Sequence, residues 1–549
     1  MASPIKVVLA FDFGTTYSGV SYAYRKPGAT PTPIIRWPGD SGRFSTEVKV
    51  PTIISYNGPT DFKWGYQVKP TDKSTVGIKL LLDPDQDKPS YLPGSGKKTA
   101  LRNLPKPAVD IAADYIGAVY KHALEQIRTS SVGNFFDTCE REAFLLSPLC
   151  GRTKPRTSRF RLGSVSMIKE PEAAAIYTLS EQSLALQKGD ICLICDAGGG
   201  TVDLITYEVA QSSPLELAEV VPGSGGMAGA IGLNKRFEDA VRELIGDSDM
   251  GTFKSMPDGW AIVLNQFETE IKRNFSGESN ETHYIPLSWP ETRRQPGREP
   301  GEQHLEHEVI FDPLVRDVIR LIDDQVQASR QKYPSRPIKA IFLVGGFGSN
   351  AYLKGRIEKS YQVTQVVQPA NASSAIMDGA VMHCLTHGPK IVSRRATCHY
   401  GVKGWFVQRI PEDIGKRTWY DDKDGITRVK RMGWNIIKGQ ELKEEKIKIS
   451  FVHTADDPYT HADMLIDQTL YFSKTHSPQV YPDDDVIKCC RLKASLWSAR
   501  YYMRKIPVGA HGKPYWILNY GVVVTAKANL HFSLEVNGKE YGSVEASFQ

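Results

Sequence analysis

Two stretches of the chain place an acidic residue at the end of an apolar run and follow it with glycine and threonine. In the first, Asp12-Phe13-Gly14-Thr15-Thr16 leads on to Tyr17-Ser18-Gly19-Val20. In the second, Asp196-Ala197-Gly198-Gly199-Gly200-Thr201 leads on to Val202-Asp203-Leu204. Asp is a poor strand residue, so its placement needs a reason. Glycines let a backbone come close to phosphate oxygens, and threonine hydroxyls and bare N–H groups donate to them. Brought together, the two carboxylates repel unless a cation lies between, and Mg²⁺ is commonly held by one or two carboxylates plus substrate phosphates. A nucleoside triphosphate with Mg²⁺ satisfies every element. Either Asp alone is equally well explained by an Asx turn at a strand end; the duplication argues for the chemistry.

A third signal is Ile341 to Asn350, IFLVGGFGSN, where Gly345 and Gly346 break a short buried strand. Ser349 or Asn350 is placed to cap a helix from Ala351, and N–H groups at such a helix start suit an anion or a nucleotide sugar.

These residues need scaffolding. Ile5 to Phe13 and Ile191 to Cys195 read as buried strands, each followed by its turn and a second strand, Tyr17 to Tyr24 and Val202 to Val209. No Walker-type lysine and helix follow the turns. Two copies of one device predict two related halves facing each other across a cleft, each with sheet and helices. Apolar residues at helical spacing predict helices over Pro107–Arg128 and Phe311–Gln331, while Pro84–Lys98 and Glu291–Gln303 read as loops. Past His383 the character changes. His387–Gly401 reads as a polar, basic connector, and the remainder is β-branched, aromatic and partly alternating.

The chain's 549 residues carry 68 basic and 62 acidic side chains, an excess of +6 too small to imply nucleic acid or membrane by itself. Eight cysteines at this length make no disulfide framework, no secretory segment follows Met1, and no apolar run is long enough to span a membrane. A reducing, cytoplasmic setting is expected, and the Asn274-Phe275-Ser276 sequon is read as accidental.

DFGTTYSGV, DAGGGTVDL and FLVGGFGSNAYL resemble the two phosphate loops and the adenosine loop of the actin–Hsp70–sugar kinase ATPase superfamily. IKEPEAAAIYTL, Ile168 to Leu179, resembles the lobe-joining segment of the Hsp70 branch, and the divergent twelve-type members with their fungal relatives are the nearest in character. The resemblance implies an α/β chain: a two-lobed, actin-like (ribonuclease H-like) ATPase domain over 1–390, its second lobe starting about 190, and a smaller β-rich domain over 391–549. It implies ATP or ADP with Mg²⁺ held by Asp12 and Asp196. Gly14, Thr15, Thr16, Gly198, Gly199, Gly200 and Thr201 would lie about the phosphates, and Lys272, Arg273, Gly345 and Gly346 about the nucleoside. Lys79 matches the family's lysine near the γ-phosphate, and Glu170 its glutamate beside the attacking water. The alternatives are a lysine whose stem packs along an element edge and a glutamate that only caps a helix. Asp203 is assigned to supporting the second loop.

The chain also departs from the pattern. The residues after Pro148 are short and basic where a helix is expected; Ala230 and Ile231 replace acidic positions, and Ser373 replaces a nucleotide-proximal Asp. The position of the family's ribose-contacting glutamate falls at Thr269, between Glu268 and Glu270. No acidic-leucine linker or helical lid is found. Cys192 and Cys195 point to opposite faces of a strand and read as packing; Cys489-Cys490, and Cys384 with His383 and His387, lack the spacing of a metal site. Arg428, Lys430 and Arg431 near Trp434, and the RYYMRK run from Arg500 to Lys505, read as solvated faces rather than as sites for RNA or anionic lipid.

The leading expectation is a weak ATPase whose hydrolysis, a phosphoryl transfer to water, moves the lobes and drives chaperone-like binding of a client or regulatory protein. A non-hydrolysing nucleotide-binding scaffold stands against it. A small-molecule kinase comes last, for want of a substrate-deprotonating Asp. Nothing in the sequence fixes the oligomeric state.

Overall fold

The computed structural model describes residues 5–69, 71–82, 104–130, 135–147, 164–180, 185–256, 259–278, 284–285, 303–304, 307–385, 390–442, 446–457, 464–526 and 530–546. The expected loop Pro84–Lys98, most of Glu291–Gln303 and the basic segment after Pro148 lie outside these residues. The chain divides into two compact units, Met1–Ile391 and Val392–Gln549, both of mixed or β structure. Among the described residues no helix is long and apolar enough to cross a membrane.

In the first unit one sheet is built from β1 (Lys6–Asp12), β2 (Tyr17–Tyr24), the two-residue β3 (Val50–Pro51), β4 (Glu140–Ser147) and β5 (Ser164–Lys169). A second is built from β6 (Ile191–Ala197), β7 (Val202–Ser212), β8 (Leu215–Gly226), β9 (Ile338–Val344) and β10 (Gln365–Val367). Both share one topology. The strand that ends in an acidic turn, β1 or β6, has an antiparallel hairpin partner on one side, β2 or β7. Two parallel strands follow on the other side, β4 and β5 or β9 and β10. Parallel neighbours need helical crossovers. Among the helices are α1 (Ile78–Leu81), α2 (Ala108–Ser130), α3 (Glu170–Ser180), α4 (Ile231–Ile245), α5 (His307–Lys332), α6 (Ala351–Ser360) and α7 (Ala375–Cys384). The helices expected over 107–128 and 311–331 are α2 and α5; Ile111, Tyr115, Val119, Ala123 and Ile127 are buried at a spacing of four, one stripe of α2.

All seven residues of β6 are buried, which is why this strand reads as an unbroken apolar run. Cys192 and Cys195 do point to opposite faces, into two different core clusters, and burial pushes both thiols up, Cys192 to about 12. Neither is poised for redox chemistry. Between the two sheets lie α3 and α7, whose alanines pack with Val8, Ala10, Ile194, Ile205 and Phe342. Small residues allow this close approach: a β-carbon on Gly379 of α7 would lie 1.9 Å from the Ala173 carbonyl oxygen of α3.

In the second unit β11 (His399–Val407), β12 (Thr418–Asp421), β13 (Ile426–Ile436), β15 (Leu465–Ser473) and β16 (Ile487–Ser495) form a sheet in the order β12-β13-β11-β15-β16. A second sheet runs β14-β17-β18-β19, from Lys446–Ala455, Tyr515–Ala526, Leu530–Val536 and Lys539–Ala546. Tyr400, Val402, Leu470 and Phe472 of the first share a core with Val522, Val524, Phe532 and Leu534 of the second. The sequence reading of His387–Gly401 as a connector needs correction. Lys390–Arg395 is a strand, with Arg394 and Arg395 paired to Leu442 and Glu441. Ile391 and Val392 favour extended backbone, and the polar Ser393 is the buried residue of the strand.

The solvated-face reading of Arg428–Arg431 also fails in part. Arg431 is buried, and its guanidinium pairs with Asp413, a fully buried carboxylate that Tyr481 Oη also donates to at 2.6 Å. Arg428 is half-buried between Asp421 and Asp424; Lys430 is exposed. The chain needs an internal cation here to neutralise Asp413, which composition alone does not reveal.

Candidate functional site

The two acidic turns meet. A β-carbon on Gly199 would lie 2.0 Å from Thr16 Oγ1, and one on Gly200 would lie 2.6 Å from Thr15 Oγ1, so the second turn has glycine where the first presses its threonines against it. Between them opens a cleft of about 350 Å³, within the usual range for small-molecule sites. Its walls include Asp12, Gly14, Thr15 and Thr16 from the first turn and Asp196 and Gly198 to Thr201 from the second. Lys79 and Glu170, Lys272 and Arg273, and Gly345 and Gly346 complete the set of residues expected from sequence, all of them on this one surface.

Local geometry explains the glycines. At Gly14 a β-carbon would strike the Tyr17 carbonyl oxygen at 2.0 Å. Gly345 has φ +86° and its missing β-carbon leaves room for Asp196 Oδ1, 2.4 Å from where it would stand. The second turn is held from behind by the segment where the sequence lacks acids: Ala230 N donates to Gly198 O at 3.1 Å and Ile231 N to Gly199 O at 2.8 Å. Of the three neutral replacements, Ala230 and Ser373 line the cleft.

The charges form two layers. Lys79 on α1 donates to Glu170 Oε1 at 2.6 Å, joining the short helix to the first residue of α3, with the Glu170 side chain buried and that of Lys79 half-buried. Burial pushes Glu170 up to about 7 despite the opposing pull of Lys79. Burial alone would loosen the Lys79 proton, but Glu170 and then Asp12 outweigh it and hold the ammonium more firmly. Asp196 stands directly across from Asp203 in the β6–β7 pairing, and one oxygen of each, with one of Glu170, all lie within 4.8 Å. Burial, then Glu170 and Asp203, raise Asp196 well above the usual carboxylate range. Its Oδ1 is buried without a hydrogen-bond partner. Thr201 Oγ1 donates to Asp203 Oδ2 at 3.1 Å, a tie within the second loop. Such a trio needs a proton or a cation, and its hard oxygen donors suit Mg²⁺.

Sequence reasoning missed Lys49. Its Nζ donates to Asp12 Oδ2 at 2.5 Å, with side-chain exposures of 15% and 4%. β3 pairs with Tyr17 and Ser18, and Thr52 N donates to Thr16 O at 2.7 Å, so this segment is stitched to the first turn. A two-residue strand has no periodicity to give it away.

At the far end of the cleft, Lys272 donates to Asn234 Oδ1 at 2.9 Å, and the Arg273 guanidinium stands 6.0 Å from the Tyr17 ring. Burial loosens the Lys272 proton, with Glu268 opposing. The displaced glutamate has a structural answer. Residues Phe267–Ile271 form a π-helical turn, and its extra residue rotates the register. Glu268 thereby lines the cleft and accepts from Asn234 Nδ2 at 2.6 Å, while Thr269 bonds back to Asn265 O. Asn350 caps α6, accepting from Leu353 N at 2.9 Å, and donates to the Lys272 and Phe275 carbonyls, which anchors this end.

No family model matches the chain. It is 22% identical over 492 residues to "Heat shock 70 kDa protein 12A" of Mus musculus, covering 72% of each chain, and the Homo sapiens protein of that name gives the same figures. It is 26% identical over 245 residues to "Heat shock 70 kDa protein 12B" of Homo sapiens, covering 40% of this chain and 34% of that one.

Proposed function

The chain is a divergent Hsp70-like protein, and on that premise we propose that the cleft binds ATP or ADP with Mg²⁺ and hydrolyses ATP slowly. The observation that carries this reading is the direct meeting of the two turns, Thr15 and Thr16 against Gly199 and Gly200, with Asp12 and Asp196 on the shared surface. Asp196, backed by Asp203 and Glu170, would hold the cation, with Asp12 across the cleft; the orphaned Asp196 Oδ1 supports that fit. When bound, Mg²⁺ would neutralise phosphate charge.

The chain's own groups supply the rest. Thr15, Thr16, Thr201 and the glycine N–H groups donate to phosphate oxygens. Lys79 stands where its ammonium offsets charge building on the terminal phosphate. Glu170, bonded to Lys79 and raised toward neutrality, takes a proton from water aligned in the cleft. Glu268, Lys272 and Arg273 hold the nucleoside. The two sheets act as the lobes of a switch: nucleotide sets their angle, and hydrolysis changes the affinity of the chain for a client or regulatory protein.

Lys49 favours a second reading. A fixed cation on Asp12, together with the neutral Ala230 and Ser373, suits a scaffold that binds nucleotide without turnover. Single-turnover phosphate release with Mg-ATP separates the two. Release from wild type that is lost in Glu170→Ala supports hydrolysis; tight ATP binding with release no faster than in that variant supports the scaffold.

A further inference from the structure

The chain's excess charge of +6 lies wholly in the second unit, because the basic and acidic side chains of residues 1–391 balance. Much of it is gathered on the outer face of the sheet β12-β13-β11-β15-β16. Strand alternation puts Tyr400, Val402 and Phe406 of β11 inward, and Gly401, Lys403 and Trp405 outward. The pairing register then lays out a stripe across all five strands. Trp419 of β12 is opposite Arg428 of β13. Lys430 of β13 is opposite Trp405 of β11. Gly401 of β11 is opposite Tyr471 of β15, and Tyr471 is opposite Lys488 of β16.

Cations and rings therefore alternate and touch. Lys430 Nζ stands 5.9 Å from the Trp405 ring centre, Arg428 Cζ 5.8 Å from that of Trp419, and Lys403 Nζ 4.2 Å from that of Tyr471. The two indole rings are 5.8 Å apart and tilted by 52°. Trp405 and Trp419 are 38% and 44% exposed. Arg428 is neutralised by Asp421 and Asp424. Lys403, Lys430 and Lys488 have no carboxylate in ion-pair range among the described residues, and after burial it is the other two lysines that most weaken the Lys403 proton, with Asp483 opposing. Three like charges gathered on one face without an ion-pair partner, two of them beside an aromatic ring and the third paired in register with Tyr471, are costly for the folded unit alone.

We propose that this face binds single-stranded nucleic acid, with bases stacked on Trp419, Trp405 and Tyr471 and phosphates neutralised by Lys430, Lys403 and Lys488. Four strand steps separate Trp405 from Gly401, so Tyr471 lies about 14 Å from the indole pair, room for the chain to pass from one ring to the next. A flexible strand offers a base and a phosphate in alternation, which matches the stripe; stacking is indifferent to base identity, so binding is sequence-tolerant. An acidic peptide would engage the lysines and leave the rings without stacking partners. A bilayer is matched by an apolar wedge rather than by rings and ammonium groups lying on a flat sheet.

The test uses the full chain, with fluorescein-labelled oligouridylate and oligothymidylate followed by anisotropy at low and moderate salt. Saturating Mg-ATP is present, so that the cleft of the first unit does not contribute. Binding is expected to weaken about tenfold or more in Trp405→Ala. Lys488→Glu, at an exposed position that leaves the fold intact, is expected to weaken it similarly and to flatten the salt dependence. Lys359→Glu on the first unit should leave it unchanged. No binding by wild type, or equal binding by all three variants, overturns the proposal. So does attachment to phosphatidylserine vesicles without binding of either oligonucleotide, which would make the face a membrane contact.

Discussion

Lys49 Nζ lies 2.5 Å from Asp12 Oδ2, both side chains largely out of water. The carboxylate that closes the first apolar run is thus already matched by a cation from a neighbouring segment. Removing one partner leaves the other charge buried and unmatched. Lys49→Met is expected to lower the stability of the nucleotide-free protein by about 2 kcal/mol, and Asp12→Asn by a similar amount. The double variant should cost clearly less than their sum, because the two residues share one interaction. Urea unfolding of the four proteins checks this, and full additivity would show that the pair does not couple.

The carboxylates predict a pH dependence. Glu170 sits at about 7 in the folded chain against about 4.5 when exposed, and Asp196 is raised in the same direction. A raised acid binds more protons folded than unfolded, so its stabilising effect is complete below its unfolded pKa and is lost as pH rises through its folded one. Without metal or nucleotide, the melting temperature should therefore fall between pH 6 and 8. In Glu170→Gln that fall should shrink, reflecting a loss of stability at pH 8 on the order of 1–3 kcal/mol that the variant no longer suffers. A melting temperature that rises with pH in EDTA would contradict this.

Two glycines of the first unit should respond oppositely to alanine. Gly379 faces the Ala173 carbonyl oxygen, where a β-carbon would stand at 1.9 Å; Gly355 of α6 has nothing within 4 Å. Gly379→Ala forces α3 and α7 apart and should cost about 1–3 kcal/mol or more. Gly355→Ala should stabilise by about 0.5–1 kcal/mol through helix propensity and a less free unfolded chain. Thermal melts of the two variants decide it.

In the second unit, Asp413 is fully buried and bonded by Arg431, by Tyr481 Oη and by the Arg409 N–H at 2.6 Å. Asp413→Ala leaves the Arg431 guanidinium buried without its carboxylate and should cost about 3–5 kcal/mol. Replacing the exposed Lys430 by Ala should change stability by less than about 0.5 kcal/mol. Chemical denaturation followed by tryptophan fluorescence measures both.

Much of the first unit was legible because its signals are local. An apolar run closed by Asp, then Gly and Thr, marks β1 and β6 whatever surrounds them, and α2 and α5 announce themselves by a four-residue stripe. Residues that reach the cleft by tertiary pairing were not legible. Lys49 arrives in the bend just ahead of a two-residue strand, and Glu268 arrives through a π-turn that shifts a helical register by one residue. Neither leaves a periodic trace. Arg431 was misread for a related reason: a charge on an alternating strand looks solvated until the buried carboxylate facing it, eighteen residues away in sequence, is seen.

The account stands on the two turns gripping one nucleotide, and calorimetric titration with Mg-ATP tests that most directly. Wild type should bind one equivalent. Gly199→Val, which drives a side chain into Thr16, and Asp196→Asn should each weaken binding at least about tenfold while melting cooperatively. No heat of binding from wild type, or affinity unchanged in both variants, would place nucleotide elsewhere and contradict the account.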